Sequence, residues 1–287
     1  MTSGRIGLQP TLPLAASLIA EIGEAAALAP AVDVLRRLVF AGIIDPHGLA
    51  LWNGAKRRSS LVGRQGTAQD VWSTMTSDDW ALSLQIASPH RDLLDLTLRI
   101  VSSELQPVTR DLTIGSDRDA GGTRLKTPLT GFSDGLNVLS AYAGKPQLPE
   151  APGNPDLDAC GFLWLCPVIG FEGASIAQLA RLVAEVTAGS ALRPAIGLQA
   201  ISGRALHGYV SLAWDRNNDG ADTASVEMHD ELVRRLIAAD MLPYRLGLPT
   251  IGRLPAAGDD WAAALQRIRH ALDPNGILAP GRIPGLD

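Results

Sequence analysis

The sequence is poor in three features that mark common protein classes. It has two cysteines, 5% aromatic residues and no excess of basic residues. Lys plus Arg number 25 against 30 Asp plus Glu, so the net charge is -5. Because a nucleic-acid-binding protein needs a basic surface to neutralise phosphates, nucleic acid is not an expected partner. Two cysteines are also too few for a disulfide-rich scaffold.

Long apolar runs are lacking as well. The sequence has no stretch of about 18 apolar residues, so no membrane span is expected. The opening residues Met1 to Arg5 lead into a mixed segment with Glu21 and Glu24, without the apolar core of a signal peptide. The sequence therefore predicts a cytoplasmic protein, and the periplasm stays open if the chain is exported with a partner.

What the sequence does contain is enough apolar residues for a sizeable core. Hydrophobic residues make up 46% of the 287 residues and charged residues 19%, which is typical of a globular protein. Cys160 and Cys166 lie in one predicted strand. Because an extended segment of that span is about 20 Å long, the two thiols are expected to stay free.

Apolar periodicity predicts strands and helices in mixed order. Alternation or continuous apolar character predicts strands over residues 80–87, 160–169, 196–202, 206–214 and 244–248. Helical spacing predicts a helix that starts at Pro30, one with Ser88 as N-cap and Pro89 in its first turn, and one at a Ser175/Gln178 capping box. Further helices are predicted around 226–237 and 261–272. The pattern does not decide between strand and helix for the short runs 5–12 and 14–20. Residues 110–155 show no sustained apolar periodicity.

The order in the second half is β-α-β-β-α-β, and the first half is a looser copy of it. This order favours an α+β fold in which ferredoxin-like repeats form an antiparallel sheet covered by helices on one face. We expect residues 1–287 to form a single composite domain.

Several common site signatures are absent. The sequence has no glycine-rich nucleotide-binding motif, and its five histidines lack metal-ligand spacing. Asp215, Asn217 and Asp219 match the start of an EF-hand loop, but Val226 stands where the loop needs a bidentate Glu, so a polar turn is the better interpretation. The basic residues Lys56, Arg57, Arg58 and Arg64 are interpreted as a solvated face.

Tyr244 and Arg245 are adjacent and follow Pro243. A phenol and a guanidinium both donate hydrogen bonds, and the guanidinium is always charged, so together they suit an oxyanion. A structural salt bridge is the alternative interpretation of this pair.

The C-terminal residues 272–281 read Leu-Asp-Pro-Asn-Gly-Ile-Leu-Ala-Pro-Gly. This string resembles the C-terminal signature of the vanillyl alcohol oxidase and p-cresol methylhydroxylase flavoproteins. Upstream pieces occur in the order that this family has. They are Leu35 to Ile44, similar to the first cap helix, then Cys160 to Val168, Trp214 to Arg216 and the Tyr244-Arg245 pair.

The resemblance implies a cap domain and roles for individual residues. Tyr244 and Arg245 match the pair that binds the substrate phenolate and are the implied catalytic residues. Phe162 and Trp164 are implied in the substrate pocket. The tail from about residue 273 to 287 is implied to contact the flavin, through Asn275, Gly276, Pro280, Gly281 and Arg282.

The family's N-terminal flavin-binding domain has no counterpart in this sequence. Between Cys160 and Cys166 no His or Tyr is present to bind a flavin covalently, so FAD is expected on a partner, not covalently bound to this chain. The hypothesis is a substrate-cap subunit of a split, hetero-oligomeric FAD-dependent oxidoreductase, inactive alone. It acts on para-substituted phenols or aryl alcohols by hydride transfer to flavin, with a cytochrome or another electron acceptor.

Two alternatives stay open. One is a non-catalytic binding or scaffolding module derived from such a cap domain, against which the Tyr244-Arg245 pair argues. The other is a gene product that was originally longer. The start at Met1, at a natural domain boundary, favours an independent gene.

Overall fold

The computed structural model describes residues 12–61, 79–116, 140–147, 149, 153–190, 192, 194–245, 247, 250, 253 and 258–277. The strands of this part are β1 Leu14–Glu24, β2 Leu49–Asn53, β3 Asp79–Ser88, β4 Asp111–Ser116, β5 Cys160–Leu165, β6 Val168–Gly170, β7 Ala195–Ala200 and β8 Ala205–Asp215. Its helices are α1 Leu28–Phe40, α2 Gly54–Leu61, α3 Arg91–Leu105, α4 Gly173–Thr187, α5 Ala221–Ala238 and α6 Asp259–Leu272.

All these strands belong to one antiparallel sheet of order β4-β1-β3-β2-β7-β8-β5, and β6 also pairs with β8. The elements β1, α1, β2, β3, α3 and β4 form a β-α-β-β-α-β unit, with α2 inserted after β2. The second unit has β5, α4, β7, β8 and α5, and a single bridge between Pro167 and Pro243 stands in place of its last strand. The predicted α+β fold is confirmed, but the first half is the more complete copy.

Two predicted strands differ from the structure. The run 160–169 is divided into β5 and β6, because Pro167 between them has no N–H for the ladder. β5 lies at the sheet edge, and Phe162 and Trp164 are only partly covered, so the run is not a buried central strand. The predicted strand 244–248 is wrong at Tyr244 and Arg245, which form a bend after the Pro243 bridge.

The predicted helix starts are each displaced. Pro30 is the third residue of α1, and Ser175 is the third residue of α4, whose N-cap is Glu172. The N-cap of α3 is His90, whose backbone carbonyl accepts a hydrogen bond of 2.9 Å from the Ser88 hydroxyl. Among the helices of the described ranges, none combines the length and the hydropathy that a membrane crossing requires.

The helices α1, α3, α4 and α5 cover one face of the sheet and enclose the core. Leu18 of β1, Leu84 of β3 and Leu212 of β8 are fully buried and meet Leu35 of α1 and Leu179 of α4 in one cluster. Full burial of a leucine side chain contributes about 1.5–3 kcal/mol, so this shared core holds the two repeats together. The opposite face of the sheet, which we call the open face, carries the site described below. Ala141 and Tyr142 pack against Phe162 on this face.

Both cysteines are buried free thiols, as the sequence predicts. Burial is the largest cause that raises the pKa of each, and nearby acidic groups also raise that of Cys160. A raised thiol pKa lowers the fraction of reactive thiolate at neutral pH. Neither sulfur is therefore an activated nucleophile.

Gly161 is required by the packing of β5 on β8. It lies opposite Trp214, and a Cβ added at Gly161 would overlap the indole ring. We expect Gly161→Ala to destabilise the fold by about 2 kcal/mol in urea unfolding, because overpacking forces side chains and backbone to shift. Gly115→Ala in β4 is the control, since its nearest neighbour is Ser17 O at 3.8 Å. Equal stability of the two variants would contradict this packing.

Candidate active site

The open face carries a row of polar and aromatic side chains along β8. Leu206, Val210 and Leu212 point to the core, so by strand alternation His207, Tyr209 and Ser211 lie on the open face. Ala213 continues this row at the end of the strand. His207 and Tyr209 were not anticipated from the sequence, although their alternation with Leu206 and Val210 is the signal that identifies them.

Backbone hydrogen bonds place Tyr244 beside this row. Its N–H donates to the Cys166 carbonyl at 2.9 Å, and the Val168 N–H donates to the Leu242 carbonyl at 2.8 Å. The Tyr244 ring stacks on His207, with ring centroids 3.7 Å apart and an interplanar angle of 9°. It also meets Tyr209 edge-on, with centroids 6.3 Å apart.

The surroundings of Tyr244 set the protonation of the group. Burial raises the pKa of Tyr244 well above its ordinary value, and a hydrogen bond with Tyr209 raises it further. Burial, and then the positive charge of Arg245, lower the pKa of His207. At neutral pH, Tyr244 is therefore a protonated donor and His207 a neutral ring. Arg245 is exposed beside them and supplies the permanent positive charge.

Phe162 and Trp164 of β5 border the same row. The two rings pack edge to face with centroids 5.3 Å apart. The Trp164 indole N–H donates to the Ser211 hydroxyl at 2.8 Å, which holds the ring over the cross-strand partner. Trp164 is 36% exposed, which is high for a large aromatic ring. We call Phe162, Trp164, His207, Tyr209 and Tyr244 the aromatic strip.

Lys56 lies on the other side of the strip. Asn53 caps α2 by accepting a hydrogen bond from the Lys56 N–H at 2.8 Å. The Lys56 Cε would be 3.4 Å from a Cβ at Gly197, and Gly197 pairs with Tyr209. Burial lowers the pKa of Lys56. The interpretation of Lys56 as part of a solvated face is therefore wrong, because tertiary packing places it over the open face.

Solved flavoenzyme structures share this fold. p-Cresol methylhydroxylase with substrate bound aligns with a TM-score of 0.67 and 18% identity, over 95% of this chain and 53% of its own. 4-Ethylphenol oxidase from Gulosibacter chungangensis, in complex with isoeugenol, aligns with a TM-score of 0.67 and 16% identity. The alignment covers 96% of this chain and 54% of that enzyme's chain. The chain has the cap-domain fold of the vanillyl alcohol oxidase and p-cresol methylhydroxylase flavoproteins. The resemblance found in the sequence is confirmed.

One curated relative is a 1'-carboxy-chondrochloren decarboxylase from Chondromyces crocatus. It is 34% identical over 157 residues, which are 55% of this chain and 29% of that protein. No protein-family model matches the chain. The chain therefore spans less than a third of this relative and about half of the two flavoenzymes.

Of the predicted site residues, Phe162 and Trp164 lie on the open face with Tyr244, which contacts His207 and Tyr209 of the same row. Arg245 lines a small cavity with Val233 and Leu236 of α5 and with Met241. Asn275 and Gly276 lie in an exposed turn after α6, where the Gly276 N–H donates to the Asp273 carbonyl at 3.1 Å. Among the described residues, no hydrogen bond or ring contact joins this turn to the aromatic strip. Pro280, Gly281 and Arg282 lie outside the described residues.

The EF-hand-like segment forms a turn that is tied to the protein by Asp215. The Asp215 carboxylate accepts hydrogen bonds from the Lys145 ammonium at 2.7 Å and from the Asn217 N–H at 3.0 Å. Within the described ranges, His, Cys, Asp and Glu side chains form no group of three that could hold a metal ion.

Proposed function

We propose that this chain is the substrate-cap subunit of an FAD-dependent oxidoreductase that oxidises para-substituted phenols or aryl alcohols. The supporting observation is the packing of Tyr244 on His207 and Tyr209, on the open face of this cap-domain fold, with the exposed Arg245 next to Tyr244 in the chain. Residues 1–287 form one composite domain in this proposal, and the tail from about residue 273 contacts the flavin.

Tyr244 and Arg245 bind the substrate oxygen. Tyr244 donates a hydrogen bond to the phenolate, and Arg245 adds a permanent positive charge. Because Tyr244 stays protonated, its hydroxyl can still donate a hydrogen bond when the negative charge on the substrate oxygen changes during the reaction. Donors held in place in this way stabilise developing charge without a reorganisation cost.

Phe162 and Trp164 hold the aromatic ring of the substrate and exclude water from it. The hydrogen bond from Trp164 to Ser211 fixes the indole before substrate arrives, so little rotamer freedom is lost on binding. A bound flavin supplies the hydride acceptor for the benzylic carbon. Asn275, Gly276, Pro280, Gly281 and Arg282 are the proposed contacts of this chain with the flavin.

The chain fits only part of an FAD molecule. The open face offers aromatic rings to cover a flavin ring, but the sequence contains no glycine-rich loop for the pyrophosphate. Exposed apolar residues on α6 support a second polypeptide that completes the site: Trp261 is 53% exposed, Ile268 56% and Leu272 76%. Such a stripe is typical of a helix that packs on a partner.

We expect the chain purified alone to contain no flavin and to show no turnover of phenols. The reason is that the residues for the pyrophosphate and most of the flavin site lie on the partner. The visible absorption spectrum and the supernatant of the acid-precipitated protein check this. A yellow preparation of this chain alone, with one flavin per polypeptide, would overturn the split arrangement.

Decarboxylation of an aryl carboxylic acid is a second candidate function, favoured by the 34% identical decarboxylase. In this reaction the bond to the carboxylate breaks, CO2 leaves and a proton takes its place. Lys56 lies on the same face as the aromatic strip and provides a cation for the carboxylate.

Release of labelled CO2 from 4-hydroxyphenyl carboxylic acids by the assembled complex separates the two candidates. Decarboxylation predicts CO2 release that Lys56→Met lowers and Lys56→Arg retains. Oxidation predicts consumption of 4-alkylphenols without CO2 release. Absence of CO2 from every acid tested would remove the second candidate.

A further inference from the structure

A cavity of about 580 Å3 lies at the end of β8. Phe162, Ser211 and Ala213 line it from the sheet, and Ala221, Ala224 and Met228 line it from α5. Its volume is in the range of cavities that bind small organic ligands. None of the roles assigned above uses the part that α5 lines.

The space exists because β8 continues beyond β7. The pairing of these strands begins at Ala195 and Ser211, so Ala213 has no partner in β7. Alanine side chains from Ala213, Ala221 and Ala224 then leave unfilled the volume that larger side chains would occupy. The cavity follows from strand length and side-chain size together.

The walls suit an apolar ligand. Met228 and Phe162 supply apolar surface, and the acidic residue at the wall, Asp215, is paired with Lys145 at 2.7 Å. An ion pair presents little net charge to the cavity. A charged ligand group would therefore lose its hydration without meeting an unpaired charge at this wall. The remaining polar groups of the lining are neutral: Ser140, Ser190, Ser211, Asn218 and Ser225.

The cavity continues the aromatic strip. Phe162 and Ser211 belong to its wall, and Ser211 holds Trp164 of the strip. From Tyr209 to Ala213 the extended strand covers about 13 Å. We propose that this cavity binds an elongated apolar para-substituent of the substrate, so that the substrate class is long-chain phenols. The position of the phenol at Tyr244 and Arg245 rests on the proposed function, whereas the cavity does not.

Calorimetric titration of the full chain with 4-octylphenol and 4-methylphenol tests this. We expect octylphenol to bind at least about tenfold more tightly, because the longer chain is buried. Ala224→Phe fills the cavity from an exposed helix position and should reduce this ratio by about tenfold. Val226→Phe is the matched control, since Val226 is exposed on the same helix and does not line the cavity.

Two results would overturn the proposal: equal affinity of the wild-type chain for the two phenols, or an unchanged ratio in Ala224→Phe. Arg245→Ala separates this test from the proposed function. If Arg245→Ala leaves the affinity for both phenols unchanged while Ala224→Phe lowers the octylphenol ratio, the cavity assignment stands. In that case the phenol does not bind at Arg245.

Discussion

Replacement of Arg245 by alanine is expected to lower kcat/KM for phenols, in the complex with the proposed flavin-bearing partner. The expected loss of transition-state stabilisation is about 2–4 kcal/mol. Arg245 is exposed at the bend after Pro243, and its charge adds to burial, the larger cause, in lowering the pKa of His207. Removing the guanidinium leaves Tyr244 as a neutral donor to the phenolate. Steady-state kinetics with a 4-alkylphenol measures the loss.

Arg91→Ala is the control for Arg245→Ala. Arg91 is an exposed arginine at the start of α3, on the helical side of the sheet, so its removal should leave kcat/KM unchanged. Arg245→Lys should recover part of the activity, because a lysine restores the charge but not the planar pair of donors. Unchanged kinetics in Arg245→Ala would remove Arg245 from the site.

Replacement of Lys145 by methionine is expected to cost about 1–3 kcal/mol of folding stability. The side chains of Lys145 and Asp215 are only 8% and 11% exposed, so the change leaves a carboxylate largely covered and without its cation. This pair joins the turn Ser140–Gly144 to the end of β8, beside the cavity. Urea unfolding of the two proteins at neutral pH measures the difference.

The effect of Lys145→Met should depend on pH in one direction. The hydrogen bond from Lys145 is the largest cause that lowers the Asp215 pKa below its ordinary value of 3.8. The pair therefore stabilises the fold fully above pH 3.8, and this contribution is lost as the pH falls through the lowered pKa. Arg181→Met, which removes an exposed pair with Glu185, should cost at most about 0.5 kcal/mol. A loss of stability that is equal at acid and neutral pH would contradict the pairing.

The parts of the fold that the sequence predicts are those where one face of an element is buried. The buried residues of β8 and α4 follow the apolar periodicity of the sequence closely, because one face of each element packs in the core. β2 and α2 are missed, since the strand is short and the helix is polar. The strand predicted at 244–248 fails because Pro243 makes one bridge and the chain then bends.

The sequence identifies some residues of the candidate site, but it does not show which residues from other parts of the chain contact them. Tyr244 and Arg245 are visible as adjacent residues with matching donors, and a family resemblance adds Phe162 and Trp164. The stack of Tyr244 on His207 joins residues 37 positions apart, which no local pattern contains. The position of Lys56 next to Gly197 likewise depends on the pairing of β2 with β7, which lie far apart in the sequence.

Isolation of this chain from its native host at its natural abundance tests the split-enzyme account most directly. The account predicts that a second, FAD-containing polypeptide copurifies with the chain, and that a 4-alkylphenol added without oxygen bleaches the flavin absorbance. Flavin bound to this chain alone would contradict the account. So would a copurified flavoprotein whose flavin no phenol reduces.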